Sequence, residues 1–302
     1  MSILVVGSVA YDTVETPFGR AERVLGGSAS FFAVAAAFFV PVNLVAVVGD
    51  DFGERELAAF RGRSIDLSGL EHAPGATFHW QGKYSHDLNS RDTICTDLNV
   101  FESFKPKLPA AYRTSEQVFL GNIDPELQLE VLEQVPSPKL VACDTMNFWI
   151  QGKLEALRRT LRRVDVLLIN DAEARQLTGE WNLSKAARAI RGLGPKILVV
   201  KKGEHGVLMF SEAGSFAAPA FPLEEVFDPT GAGDTFAGGF LGQLAASDRL
   251  DESTLRRAVV MGSALASFCV EAFSLDRLLT LTRAEIDERY RQFGRLTQFE
   301  VL

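Results

Sequence analysis

Cysteine is scarce: Cys95, Cys143 and Cys269 are the only three in 302 residues, far apart and without CxxC spacing. An odd, scattered set excludes a disulfide framework and a thiolate zinc site, and it fits a reducing cytoplasm. Histidine is as rare, and His72, His79, His86 and His205 have no carboxylate or cysteine at metal-ligand spacing, so they read as surface or small-sheet residues. Positive charge is in deficit, with 31 Lys and Arg against 39 Asp and Glu and a net charge of −8. A nucleic-acid partner calls for a basic face, so none is expected, and any phosphate bound here must be held locally. Long apolar runs are missing too. Ile3–Val6 leads straight into Gly7 and Ser8 and not into a cleavage region, and Ala33–Val40 falls far short of the ~20 residues that cross a bilayer. These read as a buried strand and a buried helix, with no membrane partner. Gly7-Ser8-Val9-Ala10 lacks the Gly-x-Gly-x-x-Gly turn of a dinucleotide site, and no Walker A loop occurs.

What is present is an apolar fraction of 47%, enough for one large α/β domain over residues 1–302. Aliphatic runs bounded by glycine or charge recur at Ile3–Val6, Leu44–Val48, Val118–Leu120, Leu140–Ala142, Val164–Ile169 and Ile197–Val200. They have the form of strands buried on both faces. Helical spacing falls between them, at Ser28–Phe39, Glu54–Arg63, Glu126–Gln134, Lys153–Arg163, Ala172–Thr178 and Leu183–Gly192, and then at Glu252–Phe273 and Arg283–Phe293. The alternation predicts an open, mostly parallel sheet with helices on both faces. One segment departs from it. Thr77–Tyr84 and Thr93–Phe101 tend to alternate with period two, setting Phe78, Trp80 and Tyr84 opposite His79, Gln81 and Lys83, with a turn at Asp87-Leu88-Asn89-Ser90. A small antiparallel pair on an α/β core suits a lid that excludes water, the reading favoured over a plain surface hairpin or a dimer contact.

The most informative string is Asp228-Pro229-Thr230-Gly231-Ala232-Gly233-Asp234-Thr235-Phe236-Ala237-Gly238-Gly239-Phe240. Glycines at 231 and 233 permit close backbone approach, and Thr235–Ala245 reads as a helix whose N-terminal amides can converge on one anion. Asp234 sits where a carboxylate also serves as an N-cap. A capped helix behind a tight turn accounts for any one of these residues; the whole string, joining cap, anion site and small-residue helix start, favours the anion site. There Asp234 would accept a proton from an alcohol during phosphoryl transfer, and the rest is positioning and charge neutralisation.

The string resembles the C-terminal signature of the PfkB, or ribokinase-like, carbohydrate and nucleoside kinases. That resemblance implies a three-layer α/β/α fold with a mostly parallel central sheet and a small β-sheet lid, drawn mainly from residues near 11–25 and 75–103. It implies transfer of the γ-phosphate of ATP to a hydroxyl of a small molecule, with ATP, Mg²⁺ and K⁺ as cofactors. Asp234 is then the base, the Gly231, Ala232 and Gly233 amides the anion hole, and Thr230 and Asp228 match positions near the phosphates and a monovalent cation. Asp12, at the exit of the first strand, matches a residue that binds substrate hydroxyls, although a turn cap explains it as well. Gly26-Gly27-Ser28 matches the family's N-terminal glycine pair beside the substrate, but Phe31 stands where an asparagine is common. Asn122, past the third strand run, either replaces that contact or serves a turn. Val48-Gly49-Asp50-Asp51-Phe52-Gly53 resembles a structural turn of the family.

Asn170 and Glu173 match an N-x-x-E element tied to Mg²⁺ and phosphate, Glu173 acting through water, yet the same spacing makes a capping box. Lys201 replaces the threonine of a phosphate loop that continues through Gly203 and Gly206, and it either contacts phosphate or faces solvent. Small residues around Ala264 admit an adenine or simply pack a helix. Relatives often dimerise through the lid, which Phe78, Trp80 and Tyr84 would suit. A sugar or polyol is the expected acceptor because such substrates dominate the family. A nucleoside is the alternative within it, and a catalytically silent metabolite-binding protein the alternative outside it.

Overall fold

The computed structural model describes residues 2–247 and 249–298. The described residues hold thirteen strands: β1 (Ile3–Val6), β2 (Ala10–Thr16), β3 (Gly19–Gly26), β4 (Val42–Val48), β5 (Ile65–His72), β6 (His79–Tyr84), β7 (Arg91–Asp97), β8 (Gln117–Leu120), β9 (Leu140–Asp144), β10 (Val166–Asn170), β11 (Ile197–Lys201), β12 (Val207–Ser211) and β13 (Gly214–Ala218). Nine form one sheet in the order β13-β12-β11-β10-β9-β8-β1-β4-β5. From β11 to β5 every pairing is parallel, and the β12–β13 hairpin adds an antiparallel edge. The unbroken apolar runs lie at the centre, where β1, β8 and β9 are buried at every residue, because a parallel strand between two helical layers has no solvent face.

Period-two alternation divides the core in two. Ile3 and Val5 pack with the helices Ser28–Ala36, Ala232–Ser247 and Glu252–Cys269 on one face. Leu4 and Val6 pack with Pro125–Gln134, Leu154–Leu161 and Leu183–Arg191 on the other. Phe32 stacks on Phe119 across the first interface with centroids 4.2 Å apart. The three-layer α/β/α architecture expected from the alternation is therefore present.

Several expected helices are shorter than their periodicity. Ser28–Phe39 is regular only to Ala36 and continues as turns to Val40, where Pro41 closes off helical backbone. Glu54–Arg63 is helical only over Glu54–Leu57 and then turns so that Phe60 enters the core, and Glu252–Phe273 ends at Cys269.

The second sheet has the order β3-β2-β6-β7. It is mixed: β2 pairs antiparallel with β3 but parallel with β6, and β6 pairs antiparallel with β7. The expected strand Thr93–Phe101 ends at Asp97, and Asn99–Ser103 is a short 3-10 helix. The C-terminal ends of β1, β9, β10 and β11 lead to Gly7, Asp144, Asn170 and Lys201, and the small sheet lies over this edge. An open α/β sheet places its crevice there. Among the described residues no helix is long and apolar enough to cross a membrane.

Candidate active site

The loop before the helix Ala232–Ser247 is fixed from inside. Asp228 is buried, and its carboxylate accepts the Thr230 N–H at 2.9 Å and the Ser274 N–H at 3.4 Å. Gly231 turns the chain with φ of +75°, and the Thr235 N–H donates to its carbonyl at 2.8 Å to start the helix. The Ala232 N–H makes a long bond of 3.3 Å to the Pro229 carbonyl. The Gly231 and Gly233 amides have no acceptor among the described residues, which leaves donors at the positive end of a sixteen-residue helix.

Asp234 stands half-buried beside them. Desolvation pushes its pKa up and the Asp144 charge adds to this, while Lys201 and Arg91 pull against it. Asp12, at the centre of the small sheet, is buried, and it is pushed up to about 7 by desolvation and then by the charges of Asp228 and Asp234. Asp12, far away in sequence, thus shares one mouth with Asp228 and Asp234. Gly26 has no side chain to intrude on the Asp12 carboxylate, and Gly27, with φ of +92°, passes against the Ser8 carbonyl. Ser28 and Ser8 exchange backbone-to-hydroxyl bonds of 3.2 and 3.0 Å, pinning the β1 exit to the next helix.

At the other end of the mouth Asn170 and Glu173 close a capping box, with Asn170 Oδ1 accepting the Glu173 N–H at 2.7 Å and Glu173 Oε2 accepting the Asn170 N–H at 3.0 Å. The capping geometry read from the spacing is thus present. Glu173 is also pushed up to about 7, first by burial and then by Asp144. Lys201 does not face solvent. Its Nζ donates to Asp144 Oδ2 at 3.1 Å, and although burial disfavours its charge, Asp144, Glu173 and Asp234 hold its pKa above the ordinary value. Gly203 and Gly206 both take positive φ, +55° and +81°, around a single 3-10 turn.

The small sheet reaches both ends of this mouth. Thr230 Oγ1 donates to the Tyr84 hydroxyl at 3.2 Å, and Asn89, in the β6–β7 turn, donates to Glu204 at 3.2 Å. Arg91, paired in register with Tyr84, stacks 5.3 Å from the Trp80 ring. Tyr84 is buried and the half-buried Phe78 stacks on Phe101, so these two do not form the outward aromatic stripe considered for a dimer contact.

Three expected site residues do not join the cluster. Phe31 is 1% exposed, its ring lying beneath Gly231, so it supports the loop and presents nothing to the mouth. Ala264 is fully buried in helix packing. Asn122 accepts the Trp149 indole N–H at 2.9 Å and donates to Met146 Sδ at 3.0 Å, which ties it into the loop after β9. Two residues of the mouth carry no signal in the motif reading. Asp144 ends an apolar strand as Asn170 and Lys201 do, and the strand-end rule could have found it. Arg91 is visible only once β7 is paired.

The sequence profile of the pfkB family carbohydrate kinases matches residues 2–280. The chain belongs to that family. Cytidine kinase from Thermococcus kodakarensis is 34% identical over 260 residues, which cover 83% of this chain and 91% of the relative. Nucleoside kinase from Methanocaldococcus jannaschii is 28% identical over 254 residues, 83% of this chain and 81% of the relative. The structure of Burkholderia thailandensis nucleoside kinase in complex with inosine superposes with a TM-score of 0.76 at 21% identity, covering 96% of this chain and 97% of that one, which shows the shared fold. ATP-dependent phosphotransfer is the chemistry of the family, so this PfkB protein is a phosphotransferase.

The donor set fits Mg²⁺ brought by a nucleotide. Glu173, fixed by its capping box, and Asp144 both lie close to the Lys201 ammonium, and Mg²⁺ at phosphotransfer sites takes one or two carboxylates, with phosphate oxygens and water completing the octahedron.

The raised carboxyl groups of this kinase make its stability pH-dependent. A carboxyl whose folded pKa lies above its unfolded value contributes stability that is present below the unfolded value and is lost as pH rises through the folded one. For Asp12 and Glu173 that loss runs up to about 7. The free protein is expected to melt at a higher temperature near pH 6 than near pH 8, and the Asp12→Asn, Glu173→Gln variant to show a smaller difference. A melting temperature that rises with pH over this range would contradict the raised values.

Proposed function

We propose that this kinase transfers the γ-phosphate of ATP to a hydroxyl of a nucleoside, with Asp234 as general base. The observation that carries the reading is the place of Asp234 beside the free Gly231 and Gly233 amides, with the buried Asp12 carboxylate, most of the chain away in sequence, close enough to feel its charge. Asp12 is suited to hold the acceptor, because a carboxylate accepts two hydrogen bonds from a vicinal diol and the ribose of a nucleoside offers one. The sequence resemblance favours a sugar or polyol. Two relatives are named for cytidine and nucleoside phosphorylation, and a structural neighbour was solved with inosine, which moves the choice to a nucleoside.

In the reaction the acceptor hydroxyl loses its proton to Asp234 as its oxygen attacks the γ-phosphorus. The charge on the transferring group is met by the Gly231 and Gly233 amides, with Ala232 and Thr230 shaping the loop. Gly26, Gly27 and Ser28 keep backbone close to the acceptor. Lys201, Gly203 and Gly206 line the nucleotide side, and Asn170 fixes Glu173, which would hold Mg²⁺ through water. The ion, when bound, neutralises charge on the phosphates. Asp228, with Thr230 and Ser274 already on its carboxylate, orders the loop beside which K⁺ would bind. The small sheet acts as the lid, and homodimerisation through it would use Ile94 and Leu98, 55% and 40% exposed. Cytoplasmic residence is supported by the three free thiols.

ADP release with a panel of nucleosides, sugars and polyols tests the acceptor. A nucleoside is expected to give kcat/KM about 100-fold above any free sugar, since a site built for a base loses its buried polar contacts when the base is absent. A free sugar turned over as well as the best nucleoside would return the assignment to the carbohydrate reading.

A further inference from the structure

We propose that Lys201 is a catalytic cation for the transferred phosphoryl group and that Asp144 is the residue that positions it. The inference rests on the phosphotransfer reading but not on the choice of a nucleoside. Lys201 lies directly against the anion loop: a Cβ at Gly233 would come within 2.8 Å of its Nζ. The ammonium and the free Gly233 amide therefore border the same space. The loop has a glycine where any side chain would push the charge away.

Asp144 is held on several sides. One of its carboxylate oxygens takes the Thr145 N–H at 2.8 Å and the other takes Lys201 at 3.1 Å. Its carbonyl accepts Gln128 Nε2 at 3.2 Å, and Gln128 is 1% exposed. Lys201 and Asp144 side chains are only 18% and 9% exposed. A pair this far from water is a poor device for stability, because desolvation of both ions offsets much of their attraction and an apolar pair would fill the space as well. Its value lies in direction. A lysine is a flexible point charge, and a fixed carboxylate on the next strand but one, reached across β10, removes that freedom.

In the transfer the acceptor oxygen forms its bond to the γ-phosphorus, the bond from phosphorus to the bridging oxygen breaks, and that electron pair leaves with ADP. The acceptor proton goes to Asp234, and Lys201 keeps its own protons throughout. Charge spreads over the three equatorial oxygens in a loose transition state, so a preorganised ammonium in a water-poor site stabilises that state beyond the ground state. Asp144 touches neither substrate and acts through Lys201.

The test is a double-mutant cycle, run with whichever acceptor of the panel the wild-type protein turns over. Lys201→Met is expected to lower kcat about 100-fold with KM for the acceptor little changed, and Lys201→Arg to recover about 10-fold of that loss. At a pH where Asp234 is fully ionised, so that the Asp144 charge no longer acts on the base, Asp144→Asn, an isosteric change, is expected to lower kcat about 10-fold alone and to have no further effect in the Lys201→Met protein. Matching melting temperatures establish that the variants are folded. A Lys201→Met protein with unchanged kcat and a raised KM for ATP would make the lysine a ground-state binder and overturn its catalytic role. An Asp144→Asn loss that adds in full to that of Lys201→Met would overturn the positioning role. Should only free sugars be turned over, the nucleoside reading fails, and the same cycle run on the sugar still decides the roles of Lys201 and Asp144.

Discussion

Asp234→Asn is expected to lower kcat about 1,000-fold while ATP binding stays within a few fold of wild type. The amide keeps the size of the carboxylate and its place in the first turn of the helix Ala232–Ser247, so the anion loop keeps its geometry. What is lost is a proton acceptor. An alcohol attacking a phosphoryl group must shed its proton as the new bond forms, and Asp234 follows the free Gly233 amide directly in the first turn of the helix. The pH profile makes the same point. Burial first, and the Asp144 charge second, raise the Asp234 pKa above the ordinary carboxylate range. A base works only when ionised, so kcat/KM is expected to fall as pH drops through that raised value, well above pH 4. Lys201 and Arg91 favour the ionised form, which keeps the base usable at neutral pH. Steady-state ADP release against pH measures the limb, and full turnover by Asp234→Asn would remove Asp234 from the mechanism.

The legible parts of the fold are those in which one segment decides its own structure. Strands such as Val118–Leu120 and Leu140–Ala142 can be read locally because burial on both faces demands uninterrupted apolar residues. Edges cannot. β5 alternates between partial and full exposure, and β13 is mostly exposed, so neither carries the apolar run that marks a central strand. The parallel pairing of β2 with β6 is a contact between distant segments, and no local pattern encodes it. The site divides in the same way. Asp234 and its glycines form one contiguous string, and the Asn170–Glu173 spacing dictates its capping box. Asp144 meets Lys201, 57 residues away, only in the folded sheet, and Phe31 reads as a substrate contact because sequence cannot tell a ring facing the mouth from one supporting it.

That support makes Gly231→Ala the second large effect, with kcat expected to fall about 1,000-fold. Two costs act together. Gly231 has φ of +75°, a conformation that costs an alanine about 1–2 kcal/mol. The new methyl would also lie 2.5 Å from the Phe31 ring, and that ring is 1% exposed and has no room to withdraw. The loop must lift, and it carries the Gly231 and Gly233 amides with it. Loss of a single preorganised donor at a developing anion costs about 100-fold, and here two move at once. The effect should fall on kcat with little change in acceptor KM, because Asp12 in β2 and Gly27 after β3 belong to other segments than the loop that lifts. Phe31→Ala placed in the Gly231→Ala protein removes the δ and ε carbons that collide but leaves the backbone strain, so it is expected to restore part of the rate and not all of it. Gly152→Ala, where a methyl meets nothing within 4 Å, serves as the matched control and should leave kcat unchanged. A Gly231→Ala enzyme with wild-type kcat would show that these amides do not meet the transferring phosphate.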